Sequence, residues 1–141
     1  MADEKTFPFE ILTLQKIMLR DDVRFVIAPG REGVFEILAN HAPFVFALKP
    51  GPLRMRMPDS KDQYIAVSSG FLVVQKERTT VLVPSAERPE EIDVERARRS
   101  KERAEKRLQE HSSGVDLVRA TASLQRALAR LKVAEYAVSV K

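Results

Sequence analysis

Along residues 1–86 short apolar runs alternate with turn signals. The runs fall at 7–14, 25–28, 34–38, 44–48, 53–57, 64–67, 71–74 and 79–83. Between them stand Pro29-Gly30, Gly33, Asn40-His41, Pro50-Gly51, Pro58-Asp59-Ser60, Ser69-Gly70 and Lys76-Glu77-Arg78. Leu53-Arg54-Met55-Arg56-Met57 alternates apolar with basic, the period of a strand buried on one face. Short segments at roughly 8–12-residue spacing, bounded by turn residues, predict an antiparallel β-sandwich or barrel.

Beyond Glu87 the period changes. Residues 87–141 hold one Gly, one Pro and many Ala, Glu, Arg, Leu and Lys. Pro89-Glu90-Glu91 suits a helix start, because proline fits the first turn and acids face the positive end of the dipole. That first helix is expected to end near Gln109, and His111-Ser112-Ser113-Gly114 is the break. A second helix is expected from Asp116, as N-cap, to about Tyr136, closing an αα-hairpin. The predicted architecture is α+β in two parts: a β-sandwich over 1–86 and a helical hairpin over 87–141.

The two helices differ. Residues 86–111 contain eight Lys+Arg and eight Asp+Glu, with Ile92, Val94, Leu108 and a few Ala as the apolar positions. Such a helix stays mostly wet. Its i,i+4 pairs, Glu95–Arg99 and Glu102–Lys106, contribute about 0.2–0.5 kcal/mol each. The second helix carries a seam of Leu117, Leu124, Leu128 and Leu131, expected to pack on the first helix or on a partner. A hairpin so thinly packed is expected to be movable.

Composition narrows the function. At 44% hydrophobic residues the chain can bury a core, and no run of residues is long and apolar enough to span a membrane. The N-terminus Met1-Ala2-Asp3-Glu4-Lys5 is polar and acidic, unlike a signal peptide. With no Cys, disulfides, thiolate catalysis and Cys-ligated zinc are excluded. The imidazoles are His41 and His111. His41, in the turn Asn40-His41-Ala42-Pro43, is a candidate metal ligand or base, or a turn residue bonded to backbone; no second His or clustered acid supports the first two. Pro29-Gly30-Arg31-Glu32-Gly33 lacks the Lys-[Ser/Thr] ending and following helix of a phosphate loop. No nucleophile–base pair is apparent.

Arg119, Arg126 and Arg130 fall within roughly 40° of one another at helical spacing, opposite the leucines. Arg126 and Arg130 have no acid three or four residues away, so pairing within the helix does not account for them. They form either a solvated face or an anion site, since paired guanidinium forks suit phosphate and clustered carboxylates. Asp93 and Arg96 are neighbours at the first helix start, with small Ala97 beside them. That trio is either ordinary capping and pairing or a place where a flat ring lies against a carboxylate. The net charge of +4 also admits a nucleic-acid-binding adaptor acting through the second helix. Against it, residues 112–141 carry five Lys+Arg and two Asp+Glu, a weak footprint for a polyanion.

Pro29-Gly30-Arg31-Glu32-Gly33, Asn40-His41-Ala42-Pro43, Leu48-Lys49-Pro50-Gly51 and Ser69-Gly70-Phe71-Leu72-Val73-Val74 resemble the N-terminal sandwich of the epsilon subunit family of F-type ATP synthases. Ser85-Ala86-Glu87-Arg88, Ile92-Asp93-Val94-Glu95-Arg96-Ala97 and Arg130-Leu131-Lys132-Val133-Ala134-Glu135 resemble that family's C-terminal hairpin. The resemblance runs in order over nearly the whole chain. It implies a non-catalytic rotor subunit of a proton-translocating enzyme, peripheral to the cytoplasmic face of the bacterial plasma membrane. The implied partners are the gamma subunit, the c-subunit ring and the α/β catalytic hexamer, with no nucleic acid. The hairpin is implied to lie compact on the sandwich or to extend and block ATP hydrolysis, Arg119 and its neighbours then meeting acidic partner segments. No cofactor is required, but ATP is implied as a regulatory ligand. The implied ATP-contacting positions are Glu87, Ile92, Asp93, Arg96, Ala97, Arg103, Arg126 and Arg130. Val34 stands where the family often has a polar tip residue, which leaves Arg31, Glu32 and His41 as expected partner contacts. Ser69 replaces a usual glycine.

Overall fold

The computed structural model describes residues 5–110 and 114–140. Ten strands come first: β1 (Phe7–Leu12), β2 (Ile17–Val23), β3 (Phe25–Gly30), β4 (Gly33–Leu38), β5 (Phe44–Leu48), β6 (Gly51–Arg56), β7 (Asp62–Val67), β8 (Gly70–Val74), β9 (Thr79–Leu82) and β10 (Ala86–Glu87). Two helices follow, α1 (Val94–Gln109) and α2 (Gly114–Val140). The strand order is β10-β7-β6-β3-β5-β8-β9-β1-β2, with β4 on β3. The sheet doubles over where β3 meets β5 through the single pair Gly30–Leu48. Arg88, just past β10, donates from Nη2 to the Met18 carbonyl on β2 at 2.8 Å. The two ends of the strand order therefore meet, and the sandwich is nearly a closed barrel.

Strand parity builds the core. β6 alternates as its sequence demands, with Leu53 and Met55 fully buried and Arg54 and Arg56 turned outward. Phe9, Ile11, Val26, Ile37, Ile65, Leu72 and Val81 join them inside. Gly70 is required by close approach, because a Cβ there would sit 2.1 Å from the Leu82 carbonyl oxygen. Gly33, at φ +136°, closes the β3–β4 turn in a conformation that side chains rarely adopt.

Several expectations are corrected. The run expected over 7–14 stops at Leu12, where the Thr13 hydroxyl accepts from the amides of Gln15 and Lys16 and turns the chain. Leu14 is left exposed. Strand β2 was not expected, because Arg20-Asp21-Asp22 breaks its apolar pattern; Met18, Leu19 and Val23 still face inward. The sandwich is antiparallel except for β1 and β9, which run parallel. Pairing continues to Glu87, opposite Ala66 on β7. Pro89–Glu91 forms only a 3-10 turn, and α1 starts after Asp93, whose carboxylate accepts from the Arg96 amide at 3.1 Å. Asp116 lies in the first turn of α2 rather than at its cap, and the helix runs on past Tyr136. His111 lies outside the described residues.

The leucine seam is buried only in part. Leu117, Leu124 and Leu131 are half-buried and Leu128 is exposed. Among the described side chains the buried positions of α2 are Ala120, Ala127, Ala129 and Val133, and those of α1 are Ala97 and Ala104. Alanine adds little apolar area per residue, and Ala129 faces the sheet, in a space shared with Ala66, Val67 and Glu87. Val133 joins Ala66, Ile92 and Tyr64 in a small second cluster on the outer face of β7. Tyr136 rests on Tyr64, ring centroids 5.0 Å apart.

One acid is built into the sheet. Glu10 on β1 is 5% exposed and lies between β2 and β9. Its carboxylate accepts from Arg20 at 2.9 Å, Arg78 at 3.0 Å and Thr80 at 3.1 Å. Burial pushes its pKa up, but the hydrogen bonds from Arg78, Arg20 and Thr80 outweigh burial and hold it below its ordinary 4.5. A carboxylate whose folded pKa is depressed stabilises the fold above its ordinary pKa. That stability is lost as pH falls through the folded value. Urea unfolding at pH 7 and pH 3.5 is expected to show this loss. Glu10→Gln is expected to cost about 1.5–3 kcal/mol at pH 7 and to reduce the difference between the two pH values.

Candidate functional site

The hairpin brings four arginines together. Arg103 and Arg107 stand one turn apart on α1, and Arg126 and Arg130 one turn apart on α2. With Ser100, Ser123 and Ala104 they line a cleft of about 180 Å³ between the helices. No carboxylate lines it. Ser100 Oγ accepts from Arg103 Nη2 and Ser123 Oγ accepts from Arg126 Nη2, each at 3.2 Å, so both guanidinium groups are held by a serine three residues back. Arg130 also forms an ion pair through Nε with Glu87 of β10. This pair ties α2 to the strand beneath it, and Arg126 lies alongside. Clustered guanidinium groups repel one another, so the cleft is a ready receptor for a multiply charged anion.

Of the residues singled out from sequence, Glu87, Arg103, Arg126 and Arg130 converge on this place. Ile92, Asp93, Arg96 and Ala97 stand apart from the cleft at the start of α1. Ile92 is packed into the second cluster, Asp93 caps the helix, Arg96 points to solvent and Ala97 is buried. Arg119 is exposed and does not line the cleft. Sequence reasoning missed Arg107, Ser100 and Ser123. The signal for Arg107 was available, since 103 and 107 repeat the i,i+4 spacing of 126 and 130.

The expected partner contacts separate. Arg31 and Glu32 are exposed in the turn between β3 and β4, and His41 lies at the far end of β4. Its Nδ1 is 2.7 Å from the Ala42 carbonyl, and its ring meets Phe46 edge-on at 5.9 Å. Elsewhere, register assembles a surface that the sequence did not display. Ala47, Phe71, Leu82, Leu12 and Ile17 are successive cross-strand partners over β5, β8, β9, β1 and β2. Phe71 is 52% exposed, Leu82 44% and Ile17 51%. Together they form an apolar row across one face of the sheet.

Residues 6–89 match the family described as ATP synthase, Delta/Epsilon chain, beta-sandwich domain, and residues 90–135 match the long alpha-helix domain of the same chain. The chain belongs to this family. Among its relatives is the ATP synthase epsilon chain of Syntrophomonas wolfei, 46% identical over 132 residues that cover 94% of this chain and 96% of that one. The ATP synthase epsilon chain of Moorella thermoacetica is 44% identical, with 89% and 93% covered. Proteins of this name are non-catalytic subunits of the ATP synthase. The fold recurs in the Euglena gracilis mitochondrial ATP synthase (OSCP/F1/c-ring) at TM-score 0.78 and 21% identity, over 94% of this chain and 81% of that one. It recurs in the central stalk/c-ring of the Tetrahymena thermophila mitochondrial enzyme at 0.63 and 14% identity, over 94% and 99%. Among the described residues no helix is long and apolar enough to cross a membrane.

Glu87→Ala is expected to loosen α2 without disturbing the sandwich. The pair is about one-third exposed on both sides, so its loss is expected to cost up to about 1 kcal/mol. Hydrogen exchange at residues 127–137 is then expected to accelerate by up to about fivefold, with β6 and β8 unchanged.

Proposed function

We propose that this chain is the central-stalk subunit that couples the catalytic head of a proton-translocating ATP synthase to its c ring and restrains ATP hydrolysis through the helical hairpin. In this reading the apolar row from Ala47 to Ile17 docks on the gamma subunit. The Arg31–Glu32 turn faces the c ring. The subunit then lies peripherally at the cytoplasmic face of the plasma membrane. The hairpin exchanges between the compact arrangement and an extended one that reaches the α/β hexamer, where Arg119, Arg126 and Arg130 meet acidic segments.

The observation that carries the regulatory part is the arginine cleft. Its basic groups come from both helices, and Glu87 beneath it belongs to the sheet, so the receptor is complete only while the hairpin is compact. ATP bound there, with its phosphates on Arg103, Arg126 and Arg130 and its base toward Ile92, Asp93, Arg96 and Ala97, favours the compact state. A ligand at 100 times its Kd stabilises the state it binds by about 2.7 kcal/mol. Docking through one small apolar cluster, a tyrosine pair and one partly exposed ion pair is weak enough for a shift of that size to change the populations.

Calorimetric titration with ATP, with and without Mg²⁺, tests the reading. Saturable binding is expected, weakened about 10- to 100-fold by Arg126→Ala, as loss of a charged hydrogen-bonding partner implies. In the reconstituted enzyme the same substitution is expected to leave hydrolysis insensitive to relief by ATP. Absence of binding up to millimolar ATP would remove the sensor and leave a coupling subunit whose arginines face protein.

A further inference from the structure

The arginine cleft is lined for phosphate rather than for a nucleoside. Its walls are four guanidinium groups, the hydroxyls of Ser100 and Ser123, and one apolar side chain, Ala104. No aromatic ring, amide or carboxylate side chain stands there to stack on a base or to accept from its amino group. The positions implied for the base, Ile92, Asp93, Arg96 and Ala97, lie outside the cleft, and the Asp93 carboxylate is engaged as a helix cap by the Arg96 amide. At about 180 Å³ the space falls below the roughly 300–1,000 Å³ usual for small-molecule sites. It suits a phosphate chain and leaves a nucleoside outside.

Charge points the same way. Among the described residues Arg130 pairs with Glu87, whereas Arg103, Arg107 and Arg126 form no ion pair. Guanidinium forks bind phosphate oxygens through paired hydrogen bonds. The two serine hydroxyls accept from Arg103 and Arg126 and keep their own protons to donate to an anion oxygen. A condensed phosphate chain presents oxygens along its length to groups from both helices, which a single phosphate does not. We propose that the cleft is a receptor for the condensed-phosphate chain itself, so that inorganic tripolyphosphate occupies it without any nucleoside and holds the hairpin compact. The inference rests on the reading of this cleft as the anion site of the compact hairpin.

Calorimetric titration of the full chain with sodium tripolyphosphate and with orthophosphate, in the absence of nucleotide and Mg²⁺, tests it. Saturable binding of tripolyphosphate is expected, weakened about 10- to 100-fold by Arg126→Ala. Lys132→Ala removes the same charge at an exposed position of α2 off the cleft and is expected to leave binding unchanged. Orthophosphate is expected to bind at least about tenfold more weakly than tripolyphosphate. Saturation with tripolyphosphate is expected to displace ATP and to slow hydrogen exchange at residues 127–137 by at least about fivefold. ATP binding without tripolyphosphate binding would overturn the proposal and leave the nucleotide reading intact. Tripolyphosphate binding with no ATP binding would support the proposal and remove the nucleotide sensor, and absence of both would overturn the two together. Equal weakening by Arg126→Ala and Lys132→Ala, or binding that leaves hydrogen exchange unchanged, would also overturn it.

Discussion

Burial of Phe9, Ile11, Leu53, Met55, Leu72 and Val81 between the two leaves of the sheet sets the parity of every strand. A register slip of one residue would turn each strand's inward set out to water, so the core admits one alignment. The rest follows from that alignment. Phe71 and Leu82 face outward because Leu72 and Val81 face inward, and pairing places them side by side. Glu10 lies outward between Phe9 and Ile11, yet β2 and β9 flank it closely enough for Arg20, Arg78 and Thr80 to cover it. Burial of that carboxylate is tolerated because its oxygens are satisfied by charged or hydroxyl donors.

The hairpin obeys a weaker constraint. It is held to the sheet by the Ala66–Ile92–Val133 cluster, the Tyr64–Tyr136 contact and the Glu87–Arg130 pair. With Leu117, Leu124 and Leu131 half-buried beside them, most of the fully buried side chains within the hairpin are alanines. Side chains this small add little transfer free energy, while bringing four guanidinium groups around one cleft opposes the arrangement. A well-buried sandwich thus carries a lightly attached hairpin with a cluster of like charges, and the proposed anion would relieve their repulsion. That combination is what a ligand-biased two-state element requires.

The two-part architecture was legible along the chain because period and composition both change near Glu87. Turn residues marked most strands, and the charge density of α1 announced a wet helix. The arginines at 126 and 130 could be picked out because no acid stands at helical spacing from them. Strand β2 was hidden by Arg20-Asp21-Asp22, three polar residues that sit on an edge strand where solvent accepts them. The leucine seam is buried only in part. The smaller Ala120, Ala127 and Ala129 are buried, Leu117, Leu124 and Leu131 half so, and Leu128 is exposed.

Local pattern therefore determined which segments are strand and which are helix, since periodicity and turn chemistry act over a few neighbouring residues. It also placed Asp93 at a helix start. What only the tertiary structure decided depends on partners distant in sequence. The apolar row from Ala47 to Ile17 exists through cross-strand register. The Glu87–Arg130 pair spans 43 positions and the Arg78–Glu10 bond 68. The arginine cleft requires two helices to pack before their charges share one space. Such contacts form where the chain closes on itself, and no local window of the sequence contains both sides of them.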